Sequence, residues 1–147
     1  MKVCILYDSK FGTGKSCMEY LESILTNKGN DVEIYSVKEI APASIPEAEV
    51  YVFSAPTHLG NVSGKMKGFL KKIDNKNGKK YSVITTCMAP DKTRATETME
   101  QILNQKGMKK AAISMKIMVK ELKGPADEYS KEQLKDLAEE LMKELGG

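Results

Sequence analysis

The stretch 2–16, KVCILYDSKFGTGKS, constrains what the chain can fold into more than any other. Residues 3–7 are an unbroken apolar run of strand length, so both faces of that strand must be covered, as in the middle of a parallel sheet. Hydroxyls, glycines and lysines follow. A chain that leaves a buried strand through such residues and enters a helix turns sharply, with backbone N–H groups uncovered. The helix adds its unsatisfied first-turn amides and the positive end of its dipole at the same place. A phosphate fits there, held chiefly by backbone. The plainer alternative is a strand-to-helix connection of ordinary length. Gly14, Lys15 and Ser16 also match the end of a nucleoside-triphosphate P-loop, but that pattern calls for a glycine five places before Gly14, where the chain has Ser9. A metal-holding aspartate should then close a later strand. The best candidate strand, 50–53, runs instead into Ser54, Ala55, Pro56 and Thr57.

Strand and helix patterns alternate through the rest of the chain. Cys17, Met18, Leu21, Ile24 and Leu25 form a helical stripe, predicting a helix from about 15 to 28, with Gly29 placed for a positive φ at its end. A strand is expected over 32–35. Pro42 and Pro46 leave little room for a long helix before the strand at 50–53. Met66, Phe69, Leu70 and Ile73 behind Ser63 predict a second helix, and 81–86 a fourth strand. Ala95, Met99, Ile102 and Leu103 mark a helix ending near Gly107. Ile113, Met115, Ile117 and Val119 alternate with Ser114, Lys116 and Met118, as in a fifth strand with one wet face. Ser130 and Gln133 make a capping-box pattern ahead of Leu134, Leu137, Ala138, Leu141, Met142 and Leu145.

This alternation predicts an α/β fold in one domain over 1–147, with three layers and a five-stranded parallel sheet in the order 2-1-3-4-5, helices on both faces. The apolar strands then sit centrally and the alternating ones at the edges. Ligands in such sheets gather at the carboxyl ends, where the strand order reverses. That point brings together 9–14, 55–60 and 86–91.

Composition narrows the function. With 23 basic and 20 acidic residues the net charge is only +3, which does not indicate nucleic-acid binding. Lys65, Lys67, Lys71, Lys72, Lys76, Lys79 and Lys80 are concentrated in one segment; this reads as a solvated helix face, with docking of an acidic partner as the alternative. No apolar stretch is long enough to cross a bilayer, and the start of the chain lacks the pattern of a leader, so a cytoplasmic protein is expected. Cys4, Cys17 and Cys87 are odd in number and widely spaced, which argues for reduced thiols and against a disulfide frame or a metal site.

Residues 5–12, ILYDSKFG, and 52–60, VFSAPTHLG, taken together and in this order, resemble the strand–phosphate loop and the second flavin loop of the flavodoxins, and 66–70, MKGFL, resembles the helix that follows. The similarity spans essentially the whole length. With no long insertion in 111–119, it is to the short-chain branch. The resemblance implies FMN as cofactor, with Ser9, Lys10, Phe11, Gly12, Thr13 and Gly14 at its phosphate. It places Ala55, Pro56, Thr57, His58, Leu59 and Gly60 on one side of the flavin ring and Cys87, Met88, Ala89 and Pro90 on the other. In this register the family's Asn-Thr pair falls on Thr13-Gly14, so one hydroxyl contact is missing unless Thr13 or Ser16 replaces it. The chain has no Trp and no aromatic residue in 56–60 or 87–90, where flavodoxins commonly stack aromatic rings on the flavin.

The function so implied is electron transfer between redox proteins, acidic ones among the candidates, through an exposed flavin edge, by a monomer or weak dimer with no catalytic acid, base or nucleophile. A flavin-dependent quinone or porphyrinogen-type oxidoreductase of the same fold is the alternative, and a P-loop nucleotide-hydrolysing enzyme a remote one. His58, the sole histidine, reads as a surface residue, with a flavin contact as the alternative.

Overall fold

The computed structural model describes residues 1–9, 12–58, 61–87, 94–112, 114–118 and 126–146. The first unit forms as its pattern dictates: β1 spans Lys2–Tyr7 and α1 spans Thr13–Asn27. Alternate residues of β1 enter opposite layers, Cys4 and Leu6 on one side and Val3, Ile5 and Tyr7 on the other. Both layers are apolar because both are covered by helices. The helix begins two residues before the expected position, directly after Gly12, and Gly29 takes the left-handed conformation just past its end, with φ 93°.

β2 (Asp31–Ser36) pairs parallel with β1 and leaves its side chains only partly covered, as its alternation requires of an edge strand. A single 3₁₀ turn, Pro42–Ser44, occupies the proline-bounded connection. β3 (Val50–His58) lies on the other side of β1, also parallel. It continues through Pro56, a residue that ordinarily ends a strand, because Thr57 and His58 find antiparallel partners in the short β4 (Asn61–Val62). Ser63 then caps α2 (Gly64–Lys72), its hydroxyl accepting from the Met66 amide at 3.4 Å. β5 (Lys80–Cys87) pairs parallel with β3, and α3 (Ala95–Gln105) follows.

The last strand position corrects the expectation. It is filled by two pieces, β6 (Lys109–Lys110) and β7 (Met115–Met118), each parallel to β5, with the buried Ala111 and Ala112 between them. Counted in chain order the sheet therefore runs β2-β1-β3-β5-β6 rather than 2-1-3-4-5; the added arm β4 shifts the numbers and the interrupted edge adds one more. Ile113 and Val119 of the expected alternation lie outside the described residues, while Met115, Lys116 and Ile117 keep it, half-buried, exposed and buried in turn.

α4 (Glu128–Gly146) also differs in its start. Asp127 is the cap: its Oδ1 accepts from the Ser130 amide at 2.8 Å, and Gln133 Oε1 is buried with no hydrogen-bond partner. Ser130 and Gln133 are thus inside the helix rather than framing it, because an aspartate three residues upstream supplies the stronger acceptor. α2 and α3 cover one face of the sheet through Met66, Leu70, Met99 and Leu103. α1 and α4 cover the other through Cys17, Leu21, Leu137 and Leu141. This leaves the carboxyl ends of β1, β3 and β5 together at one end of the sheet.

Candidate functional site

The site is built on the carboxyl end of β1. The Asp8 amide donates to the Ser54 carbonyl at 2.8 Å, carrying the β1–β3 pairing one residue beyond Tyr7 before the chain turns. Ser9 Oγ then accepts from the Gly12 amide at 3.2 Å, folding the turn back on itself. Gly12 has φ 102° and ψ −20°, a conformation that L side chains rarely adopt, and its carbonyl accepts from the Ser16 amide at 2.9 Å to open the helix. Among the described residues no side chain caps α1, and no acidic residue stands in its first turn. An N-terminus left in this way offers amide donors and positive potential to an anion. Gly14 lies against Ser9, with 3.5 Å between an added Cβ and the Ser9 side chain. Lys10 and Phe11 lie outside the described residues.

Ser16 Oγ accepts from the Ala126 amide at 2.8 Å, which ties α1 to the start of α4 and leaves the hydroxyl its O–H to donate. Thr13 is buried and is the first residue of α1.

The carboxyl ends of β3 and β5 meet this turn. Ala55 and Pro56 pair with Thr85 and Thr86 and are buried. The hydroxyl oxygens of Ser54, Thr57 and Thr85 are all buried without a hydrogen-bond partner. By strand alternation Thr57 and Thr85 face the α2/α3 layer and Ser54 the α1/α4 layer, and a buried hydroxyl left unpaired costs about 1–3 kcal/mol. His58 and Cys87 end β3 and β5; their side chains, and all of Leu59, Gly60, Met88, Ala89 and Pro90, lie outside the described residues.

The structure adds a residue that the sequence reading missed. Asp8 is buried, with 6% of its surface exposed; it accepts from Ser63 Oγ at 2.6 Å and has Lys38 Nζ 3.9 Å away. One carboxylate thus joins the base of the β1–α1 turn to the cap of α2, and it lies beside a lysine that follows β2. The sequence signal was present as an acid between an apolar strand and a small-residue turn, but Ser63 is 55 residues away and no local pattern connects them.

Burial pushes the Cys4 thiol up to about 12 and the Cys17 thiol up to about 11, so both stay protonated and unreactive at neutral pH. Among the described residues no group of His, Cys, Asp and Glu could hold a metal ion.

The parallel sheet with helices on both faces, and the turn into α1 at the carboxyl end of β1, define a doubly wound α/β protein. The comparisons then place it: the Flavodoxin domain matches residues 4–117, and the chain belongs to the flavodoxin family. Solved structures agree in fold. A flavodoxin of Streptococcus pneumoniae superimposes with a TM-score of 0.80 at 20% identity, covering 99% of this chain and 100% of that one. A flavodoxin from the domain Archaea gives 0.83 at 17% identity, with 100% of both chains covered. A short-chain flavodoxin associated with a PDU bacterial microcompartment gives 0.82 at 19%, with 97% of each covered. Among curated proteins none matches significantly.

Proposed function

We propose that the chain binds FMN and carries electrons between redox proteins through an exposed flavin edge, as one flavodoxin-like domain over 1–147. The observation that carries this reading is the uncapped N-terminus of α1, set behind a turn held by Ser9 and by the left-handed Gly12. The residues fit the cofactor. The amides of the turn suit a phosphate, and the unpaired hydroxyl of Thr57 suits a polar edge of the ring system. Ser9, Lys10, Phe11, Gly12, Thr13 and Gly14 would hold the phosphate. The ring would lie between 55–60 and 87–90.

When bound, FMN supplies reversible one- and two-electron chemistry. The work of the chain is to position. Asp8 and Ser63 fix the turn relative to α2, and the β3–β4 pairing fixes Thr57, with Asn61 Oδ1 accepting from Thr98 Oγ1 at 3.3 Å to hold that arm against α3. Cytoplasmic action goes with the protonated, buried Cys4 and Cys17. No described helix is long and apolar enough to cross a membrane.

The lack of aromatic residues in 56–60 and 87–90 favours a second reading, a flavin-dependent quinone or porphyrinogen-type oxidoreductase, because a less covered ring is open to a small substrate. Stopped-flow mixing of the FMN-loaded protein with a pyridine nucleotide and a quinone separates the two. Slow turnover by the protein alone, with fast exchange to a second redox protein, supports the carrier; rapid turnover alone contradicts it.

A further inference from the structure

The faces of the molecule differ in charge. α2 carries four lysines and no acid, whereas α4 on the opposite face carries six acids against three lysines. Between α2 and the residues after β2 opens a cleft of about 530 Å³, walled by Lys38, Lys65 and Lys72 against a single acid, Glu39, and floored by Ile40 and Phe69. Lys65 and Lys72 are exposed, and among the described residues no acid pairs with either. Lysines further along differ: Lys76 and Lys79 both pair with Glu47, at 3.4 and 3.6 Å, and Lys76 lies 5.8 Å from the Tyr51 ring centre. Only part of the basic segment is therefore committed to holding the fold.

The cleft opens at the candidate site. Its Lys38 is the cation beside Asp8, its Gly64 follows the Ser63 that hydrogen-bonds Asp8, and the Val37 amide donates to the Tyr7 carbonyl at 2.9 Å. The end of the cleft at Gly64 and Lys65 thus lies at the same end of the sheet as the turn, and the cleft runs from there along α2 to Lys72. We infer that this cleft is the docking surface for an acidic electron-transfer protein, whose carboxylates meet Lys65 and Lys72 while an apolar side chain enters over Ile40 and Phe69. The inference rests on the FMN-carrier reading. In the complex one electron leaves the partner's reduced centre and enters the oxidised flavin, and no bond forms or breaks. A protein is favoured over nucleic acid because the cleft has an apolar floor, contains no arginine, and presents no exposed large aromatic on which a base would stack; the exposed Tyr129 is on α4.

The test uses the FMN-loaded protein, oxidised, mixed in stopped flow with a reduced acidic two-iron ferredoxin as probe. Ionic strength is raised from about 0.01 M to about 0.15 M, over which the screening length falls from roughly 30 to 8 Å. The Lys65→Glu/Lys72→Glu variant should lose at least about tenfold in association rate at low salt, with the difference closing at high salt. The control Lys135→Glu/Lys143→Glu, which places the same charge change on α4, should stay within about threefold of the parent. The milder Lys65→Gln/Lys72→Gln should fall between parent and reversal, which guards against a folding artefact in the reversed pair. Equal losses from both reversals, or none from the cleft reversal, would overturn the proposal. So would tighter binding of a DNA duplex or of anionic vesicles through the same lysines. FMN titration of every variant keeps the two levels apart: intact FMN uptake with charge-indifferent rates rejects the docking surface alone, whereas a parent protein that takes up no FMN rejects the carrier reading and the docking with it.

Discussion

Replacing Gly12 with alanine puts a side chain at φ 102°, ψ −20°. No heavy atom lies within 4 Å of the added Cβ, so the cost is conformational rather than steric. A residue other than glycine in such a region costs roughly 1–3 kcal/mol. The chain can bear that cost in two ways: it keeps the turn and loses stability, or it relaxes the turn and misplaces the amides at the start of α1. Relaxation by about 1.4–2.8 kcal/mol weakens a ligand that depends on those amides by about 10- to 100-fold. FMN depends on them through its phosphate, and riboflavin, which has none, should weaken by less than about threefold. Fluorescence-quenching titrations with both ligands, beside urea unfolding of the unliganded protein, separate the contributions. Gly12→Val should act in the same sense and more strongly, since β-branching adds strain. Equal weakening of FMN and riboflavin would refute a phosphate role for this turn, and so would an unchanged FMN affinity with unchanged stability.

Three further outcomes are expected. Ser63→Ala removes the donor to Asp8 and the cap of α2 at once, and should cost about 2–4 kcal/mol in urea unfolding; adding Asp8→Asn should cost less than it does alone, and a loss below about 1 kcal/mol for Ser63→Ala would contradict the linkage. Thr57→Val removes a buried hydroxyl that has no protein partner, so unliganded stability should hold or rise by up to about 1 kcal/mol while flavin affinity drops about five- to tenfold; an unchanged affinity would show that the hydroxyl does not meet the flavin. Because burial raises the Cys4 and Cys17 thiols from 9.0 to about 12 and about 11, the unfolded chain releases these protons first. Their contribution to stability is whole below pH 9 and is lost as pH rises toward the folded values, by up to about 1.4 kcal/mol per pH unit per thiol. Cys17→Ala should flatten that alkaline slope in pH-dependent unfolding; an unchanged slope would contradict the assignment.

What the sequence shows and hides follows from the range of the interactions. The β1–turn–α1 unit was legible because strand, turn and helix stripe lie within 27 residues and each has its own period. The edge placement of β2 and β7 was legible from their alternation. The split of the last strand was not, since Lys109 and Lys110 are exposed and carry no apolar period. The Asp127 cap was hidden by Ser130 and Gln133, which mimic a capping box inside the first turns of α4. The pairing of Thr57 and His58 with β4, and the Asp8–Ser63–Lys38 cluster, depend on residues brought together by topology, for which the sequence carries no local sign.

The central claim is that the turn at Ser9–Gly14 and the ends of β3 and β5 form an FMN site. Its most direct test is to saturate the purified protein with FMN, remove unbound flavin by gel filtration and record the visible spectrum. The account predicts a yellow protein with oxidised flavin bands at one FMN per chain, and much weaker retention of riboflavin. A colourless protein that keeps no FMN would contradict it.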